Sequence, residues 1–302
     1  MKDKYKYNKS QLLNFAENSY LERTSRPIYA IVFLLPFIVF YELGTILINT
    51  DVLNQTQVRV VAFVWLQNLL EYLGLGSKLA WCAPALAVVI ILTGLQFASR
   101  KQWRFYAGDI WPMAVECVLL AVPLIVFSLF LNSSRQPQGD ISKITKSTIQ
   151  IQTVSLLSSP SVTAADLSDT TTSGTEVKGQ SLLANIVTGI GAGIYEELVF
   201  RLILICVLML FFQDVLRLSR KSSIIFSVLV SAALFSAHHH IIFLDGQLAA
   251  SVPFSWLEFG FRTTAGVYFA VVFAIRGFGI AAGTHAFYDI IATIINTVFF
   301  QQ

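Results

Sequence analysis

The sequence predicts an all-α fold, a polytopic bundle of transmembrane helices. The 302-residue chain is 55% hydrophobic and only 13% charged, about half the charge of an ordinary soluble domain. Its mean hydropathy is +0.66, and the apolar residues cluster in runs long enough to cross a bilayer. These observations exclude a disordered chain, a water-soluble globular domain and a nucleic-acid-binding protein.

Seven candidate spans follow one another along the chain. Each is long enough to cross a hydrocarbon core of about 30 Å at 1.5 Å per helical residue. An additional apolar stretch, Val58–Leu75, contains four polar side chains and is interpreted as an interfacial or half-inserted helix. It would be an eighth span if it crossed. The seven spans are Pro27–Ile48, Leu79–Phe97, Ile110–Leu131, Leu182–Phe212, Ser222–Ile241, Trp256–Ile275 and Gly277–Phe299.

The distribution of basic residues predicts the orientation. With a cytoplasmic N-terminus, thirteen Lys and Arg residues fall on the cytoplasmic side and six on the opposite side. The remaining two of the 21, Arg201 and Arg262, lie inside spans. Short basic loops favour the cytoplasmic side of a membrane. We therefore expect the N-terminus inside the cell and the C-terminus outside.

Four segments follow from this pattern. Residues 1–26 form a cytoplasmic N-terminal segment without the features of a signal peptide, and residues 27–131 form the first transmembrane helices. Residues 132–181 are rich in Ser and Thr and are expected to be a flexible extracytoplasmic loop. Residues 182–302 form the remaining transmembrane core. The three cysteines all lie in apolar stretches and indicate neither a disulfide framework nor a metal site.

The fourth span contains two adjacent carboxylates in the sequence GIGAGIYEELVFR. Glu197 and Arg201 are four residues apart, so they share a helical face and can form a pair. Glu196 is rotated by about 100° and has no cation within reach on its own helix. A lone carboxyl group in a low-dielectric site is suited to act as a general base. The glycines before it would allow another helix or a substrate backbone to approach closely. Alternatively, both carboxylates hold helices together.

The four histidines all lie in or at the end of the last four spans. In FSAHHH, Phe235 and His239 are four residues apart, and we expect His239 to face the bundle interior. His240 is expected to cap the helix or face lipid. In GTHAFYDII, His285 and Asp289 are also four apart, so that a hydrogen bond between them could fix the imidazole tautomer. Either pair could equally be a buried structural contact.

Other ionisable residues in the spans receive simpler interpretations. Glu258 and Arg262 repeat the four-residue spacing and are interpreted as a neutralised pair. Glu42 and Glu116 have no assigned partner, and either could hold helices together or line a path through the protein.

The order EE-x-x-x-R, F-x-x-x-H and H-x-x-x-D on three hydrophobic helices resembles the CPBP family. This family comprises intramembrane glutamic endopeptidases, including type II CAAX prenyl proteases and bacteriocin-processing relatives. The resemblance covers roughly the last 40% of the chain, from about Leu182 to Thr297. It implies an intramembrane endopeptidase without a cofactor that cleaves a membrane-associated protein or peptide. A bacterial plasma membrane is the expected location.

The resemblance also implies roles for individual residues. Glu196 would polarise the attacking water with the assistance of His239, while Glu197 and Arg201 would support the helix. His285 and the residue four positions later would stabilise the oxyanion. The best-known members have Asn at that later position, where this chain has Asp289. An ionised aspartate would repel an oxyanion, so Asp289 would have to be protonated or would instead orient His285.

Two further interpretations compete with this one. A zinc-dependent version of the same enzyme could use Glu196, His239 and His285 as ligands, with Asp289 as an additional candidate. A non-enzymatic protein, such as a scaffold, an immunity protein or a proton-coupled transporter, could contain the same buried acids and imidazoles. The sequence has no inverted repeat, which argues against a transporter.

Overall fold

The computed structural model describes residues 15–48, 58–74, 82–133, 153–155, 174–244, 247–250 and 254–299. The described part is predominantly helical, which confirms the predicted helical bundle. Its α-helices are α1 (Tyr20–Thr24), α2 (Pro27–Ile48), α3 (Val61–Tyr72), α4 (Ala83–Ser99), α5 (Ile110–Ser133), α6 (Gly174–Glu196), α7 (Ile205–Leu210), α8 (Arg220–His238), α9 (Trp256–Arg276) and α10 (Phe278–Phe299).

Six of the seven predicted membrane spans correspond to helices of spanning length, and the second, Leu79–Phe97, corresponds to the shorter helix α4. Among the described residues, six helices are long and apolar enough to cross a membrane, and α4 is a shorter apolar helix of 17 residues. The protein is therefore an integral membrane protein. Helix α3 has 12 residues, too few to span a bilayer, which agrees with the interpretation of Val58–Leu75 as a non-crossing segment.

The fourth span differs from the single regular helix predicted over Leu182–Phe212. Helix α6 begins earlier, at Gly174, and continues through a π-helical segment at Glu197–Leu204. Helix α7 follows, and a second π-helical segment occupies Phe211–Val215. π-helical turns form inside α-helices where the surrounding packing favours them, and they are frequent at functional sites. Neither segment contains a proline or glycine that would give a local signal for a change of helix type.

Two short antiparallel ribbons were not predicted. Strand β1 (Val58–Val60) pairs with β2 (Thr153–Ser155), and β3 (Ile241–Leu244) pairs with β4 (Gln247–Ala250). Strand β2 belongs to the Ser/Thr-rich segment 132–181. Apart from 132–133, 153–155 and 174–181, that segment lies outside the described residues, so its flexibility stays a prediction.

Helices α2, α6 and α10 pack closely around the main apolar core. Gly193 on α6 lies against the backbone of Ala286 on α10, where an added Cβ atom would come within 2.5 Å of the Ala286 nitrogen. Gly191 similarly faces the ring of Tyr41 on α2. These contacts confirm the expectation that glycines before Glu196 permit close helix approach.

One end of the bundle, which we call the basic end, joins four parts of the chain through ion pairs and hydrogen bonds. Arg276, at the end of α9, donates hydrogen bonds to both carboxylate oxygens of Glu116 on α5 and to Thr24. Glu22 in α1 pairs with Arg26 and lies 3.6 Å from Lys101, after α4. The sequence assigned these segments to one side of the membrane, and their contacts agree with that assignment.

Candidate functional site

The sequence-predicted residues converge where α6 passes into its π-helical segment. Glu196 is the last residue of α6 and Glu197 the first of the π-helical segment. Their side chains are almost completely buried, with residue exposures of 3% and 0%. A carboxylate removed from water in this way needs charged or hydrogen-bonding partners. These partners come from α8 and α10 as well as from the same helix.

Glu197 contacts two of the predicted residues. Its Oε2 atom lies 3.1 Å from Nε of Arg201, as the four-residue spacing predicted, although the backbone between them is π-helical. Its Oε1 atom lies 2.8 Å from Nδ1 of His285 on α10. A carboxylate oxygen can only accept, so a neutral His285 carries its hydrogen on Nδ1 and directs the lone pair of Nε2 elsewhere. Glu197 therefore links the π-helical segment to α10.

Arg201 and the rings of Phe235 and Phe269 form a layer beside this pair. It is 1% exposed, and its guanidinium carbon lies 4.1 Å from the ring centre of Phe235 and 5.6 Å from that of Phe269. Phe269 also stacks on His285, with ring centres 4.5 Å apart and 17° between the planes. Stacking on aromatic faces stabilises a desolvated guanidinium. The layer holds Glu197 and His285 in place.

His238 and His239 share one backbone acceptor. The Nδ1 atoms of both rings contact the carbonyl oxygen of Phe235, at 2.9 Å in the case of His239. A carbonyl only accepts, so both neutral rings carry hydrogen on Nδ1 and present an unprotonated Nε2. The pairing of Phe235 with His239 predicted from their spacing thus involves the Phe235 backbone as well as its ring, whose centre lies 5.1 Å from that of His239.

Glu196 faces two imidazoles. Its Oε1 atom lies 3.5 Å from Nε2 of His238, and its Oε2 atom lies 4.0 Å from Nε2 of His285. His238 was not among the predicted site residues; it is 5% exposed, whereas His239 is half-buried. Among the described residues, Nε2 of His238 has no hydrogen-bond partner. Oε1 of Glu196 and Nε2 of neutral His238, both hydrogen-bond acceptors, therefore lie close enough for one small donor molecule to bind to both.

Asp289 lies beside this group without a hydrogen bond to His285. Its Oδ2 atom is 3.6 Å from Nε2 of His285, which is beyond hydrogen-bond length. The tautomer of His285 is set by Glu197, not by Asp289 as the spacing suggested. Asp289 is 9% exposed and contributes a third carboxylate around the same imidazole.

The structure also shows the contacts of His240, Glu258 and Arg262. The expectation that His240 caps its helix or faces lipid is wrong as regards lipid, because the residue is 3% exposed and packs against Phe254 and Phe259. Glu258 lies 3.7 Å from Arg262, as their spacing predicted.

The structure also gives partners to Glu42 and Glu116, for which the sequence assigned none. Glu116 is bound by Arg276 and accepts a hydrogen bond of 2.8 Å from the Tyr20 hydroxyl. Glu42 accepts a hydrogen bond of 3.3 Å from the Tyr195 hydroxyl, next to Glu196 in the chain.

The structure groups potential metal ligands differently from the sequence. Within the described residues, Glu196, His238 and His239 have ligand atoms within 4.8 Å of one another. His238 takes the place that the sequence-based zinc alternative gave to His285. Donation from both Nδ1 atoms to a backbone carbonyl leaves each Nε2 lone pair available, as in many zinc sites. The donor set is thus chemically suited to zinc.

Two aromatic residues near the site were not identified from the sequence. Phe269 stacks on His285, and Trp65 of α3 lies with its ring centre 5.8 Å from that of His238. Both are apolar residues in apolar helices, so composition and spacing do not separate them from ordinary core residues. His238 could have been included from the sequence, because it is one of three consecutive histidines and any of them could have faced Glu196.

Comparison with protein families supports the resemblance stated from the motifs. Residues 178–291 match the sequence model of the family described as "Type II CAAX prenyl endopeptidase Rce1-like". The match contains all three motifs and indicates a membrane protease in general. Comparison with curated proteins and with solved structures found no match.

Proposed function

From the Rce1-like match and the arrangement around Glu196, we propose that this chain is an intramembrane endopeptidase of the glutamic type. It hydrolyses peptide bonds of membrane-associated proteins or peptides, and its location is a bacterial plasma membrane. The observation that carries the proposal is the 3.5 Å separation between Oε1 of Glu196 and Nε2 of His238. Both atoms are acceptors when His238 is neutral, and a water that donates one hydrogen to each satisfies both.

This water is the nucleophile in the proposed reaction. Its oxygen attacks the carbonyl carbon of the scissile bond while Glu196 accepts its proton, assisted by His238. The carbonyl double bond opens to an oxyanion. When the tetrahedral intermediate collapses, the C–N bond breaks and the proton held by Glu196 passes to the leaving nitrogen. The products are a carboxylic acid and an amine, so one water is consumed.

His285 is the proposed oxyanion partner. Glu197 holds its Nδ1 atom at 2.8 Å and leaves Nε2 facing Glu196 and Asp289, at 4.0 and 3.6 Å. We assign to Nε2 the proton that is donated to the oxyanion, which requires His285 in its doubly protonated form, with Glu197 at Nδ1 and Asp289 beside Nε2. His239 stays a member of the site as the second imidazole on the Phe235 carbonyl. Arg201 balances the charge of Glu197.

The first experiment compares the wild type with Glu196→Gln, both purified in detergent, on a mixed library of membrane-associated peptides. Cleavage is read by mass spectrometry with and without a chelator. Glu42→Gln is the matched control, because Glu42 is also a carboxylate inside a span and its hydrogen bond from Tyr195 is retained by glutamine. Cleavage that requires Glu196, tolerates the control substitution and ignores the chelator supports the proposal. A well-folded wild type without activity supports a scaffold or immunity protein instead.

A zinc-dependent protease is the second candidate, favoured by the group Glu196, His238 and His239. With metal–ligand bonds of about 2.1 Å at tetrahedral angles, neighbouring ligand atoms are separated by about 3.4 Å. The Glu196–His238 separation of 3.5 Å is compatible with that value. Zinc would act as a Lewis acid on water in this group. Stoichiometric zinc in the purified protein, together with loss of cleavage on chelation, would establish this candidate.

A further inference from the structure

Helix α3 lies against both helices that carry the Glu196–His238 pair. Its Phe63 ring packs on Tyr195, the residue before Glu196, with ring centres 4.9 Å apart and 88° between the planes. Two residues later, the ring centre of Trp65 lies 5.8 Å from that of His238, with 62° between the planes. Tyr195 belongs to α6, whereas His238 ends α8. Helix α3 therefore connects the two sides of the pair.

The first half of α3 is anchored in the core, which gives Trp65 a defined place. Phe63 is 0% exposed and also contacts the ring of Tyr41 on α2, with ring centres 5.7 Å apart. The side chains at 61–64 and at 66 are buried, and most of those after residue 67 are exposed. Within residues 61–66, Trp65 is the one side chain that is half-buried. It leaves the core of α3 to reach the candidate site.

The His238 ring depends on packing for its orientation. His238 is the last residue of α8, where the helix ends. Its Nδ1 atom shares the carbonyl oxygen of Phe235 with Nδ1 of His239, so that one acceptor serves two rings. The Nε2 atom must stay directed at Glu196, at 3.5 Å, if one water is to bind to both groups. A single shared hydrogen bond at a helix end leaves this direction to the neighbouring side chains.

Three aromatic rings supply the packing around His238. The ring centre of Phe200 lies 4.8 Å from that of His238, and the ring centre of Phe235 lies 5.5 Å from it. Phe200 and Phe235 belong to the fourth and fifth spans and also pack on each other. Trp65 is the third ring and comes from the first half of the chain, outside the residues 178–291 that match the family. Edge-to-face contacts with such rings favour one orientation of an aromatic partner.

We propose that Trp65 is a positioning residue, which holds the imidazole of His238 so that its Nε2 atom faces Glu196. Helix α3 is thereby part of the functional unit, although it is too short to cross the membrane. This inference rests on the proposed function, because Trp65 acts through His238 and not on the substrate. Without the indole the imidazole can turn, and a displacement of about 1 Å at a reacting group costs on the order of 10²-fold in rate.

The test compares the wild type with Trp65→Ala and Trp65→Phe through kcat and KM for one cleaved peptide. Trp65→Ala is expected to lower kcat by about 10- to 10²-fold and to change KM by less than about twofold, because orientation of the imidazole and not substrate binding is lost. Trp65→Phe keeps an aromatic ring beside His238 and is expected to retain kcat within about threefold of the wild type. A change in Trp65→Ala that falls mainly on KM assigns Trp65 to substrate binding and overturns the inference.

A double-mutant cycle shows whether the effect passes through His238. When His238→Gln is already present, adding Trp65→Ala is expected to lower kcat/KM by less than about twofold, since the group that Trp65 positions is gone. Losses that multiply in the double variant overturn the inference. Tyr72→Ala is the matched control, because Tyr72 is an aromatic residue of the same helix and is 89% exposed. Its activity is expected to equal that of the wild type.

Circular dichroism in detergent separates positioning from loss of the fold. A folded Trp65→Ala with the kcat of the wild type contradicts the inference and leaves the proposed activity intact. If Trp65→Ala does not fold, Trp65→Leu takes its place, because leucine fills part of the space without providing an aromatic ring. The same loss of kcat is then expected, and a wild-type kcat again contradicts the inference. A well-folded wild type that cleaves no peptide contradicts the proposed function, and the positioning role fails with it.

Discussion

Glu197, rather than Asp289, orients His285, since its Oε1 atom lies 2.8 Å from Nδ1 of that ring. Glu197 is itself held by Arg201, and the three residues join the π-helical segment to α10. The assignment of Asp289 as the orienting group would require a bond that the 3.6 Å separation does not provide. Two substitutions separate these roles.

Glu197→Gln is expected to reduce kcat by about 10²-fold or more, because it removes the carboxylate that holds the Nδ1 hydrogen of His285 and balances the doubly protonated ring that donates from Nε2. Asp289→Asn is expected to retain activity, since an asparagine amide can donate to an oxyanion that an aspartate would repel. The measurement is kcat and KM for one cleaved peptide. A greater loss in Asp289→Asn than in Glu197→Gln would return the orienting role to Asp289.

The two adjacent histidines should differ in importance. His238→Gln is expected to lower kcat/KM by about 10²- to 10⁴-fold, the range for loss of a group that assists acid–base catalysis, because its Nε2 lies 3.5 Å from Glu196. His239→Gln should cost less, since this ring is half-buried and assists from the same carbonyl. Equal losses in both variants, accompanied by loss of bound zinc, would instead favour the metal-dependent candidate.

Close packing at Gly193 is predicted to be necessary for stability. Gly193→Ala places a Cβ atom within 2.5 Å of the Ala286 backbone and is expected to lower the free energy of unfolding by about 1–3 kcal/mol. Gly94→Ala on α4 is the control, because a Cβ atom there meets nothing within 4 Å. Unfolding in detergent is followed by circular dichroism. If the free energy of unfolding of Gly193→Ala equals that of the wild type, α6 and α10 can move apart without loss of stability, and the prediction is wrong.

The Glu22–Arg26 pair at the basic end predicts a pH-dependent stability. Burial raises the pKa of Glu22, but the hydrogen bond and charge of Arg26 lower it more, so that the pKa lies below its usual value. A depressed folded-state pKa stabilises the fold above the unfolded-state pKa, and this contribution disappears as the pH falls through the folded-state value. Glu22→Gln should therefore cost about 1–3 kcal/mol at neutral pH and much less in acid.

Thermal unfolding in detergent at neutral and acid pH checks this prediction. Glu17→Gln serves as the control, since Glu17 is an exposed carboxylate in the same N-terminal segment. A loss in Glu22→Gln that is equally large at both pH values would contradict the ion-pair explanation. It would indicate that packing of the side chain, rather than its charge, stabilises this end.

Sequence patterns predicted the features that depend on short, regular spacings. The apolar runs indicated the spans, and the four-residue spacing of Glu197 and Arg201 indicated a pair that the structure contains. The sequence favoured His239, whereas the structure places Nε2 of His238 3.5 Å from Glu196, because spacing within one helix does not report which residue faces a second helix. The partners of Glu116 are 96 and 160 residues away, at a separation that no local pattern reports.

The π-helical segment Glu197–Leu204 limits how this chain can be recombined with others. Each π turn contains more residues than an α turn, so side chains after the segment point in directions that an α-helical wheel misplaces. Deleting one residue there would let the backbone relax towards an ordinary α-helix, whereas deleting one residue from the α-helix before it would rotate all downstream side chains by about 100°. A chimera that joins this core to a foreign helix should therefore be spliced outside residues 197–204. Within that segment the number of residues, more than their hydrophobicity, determines which side chains after residue 204 face α8.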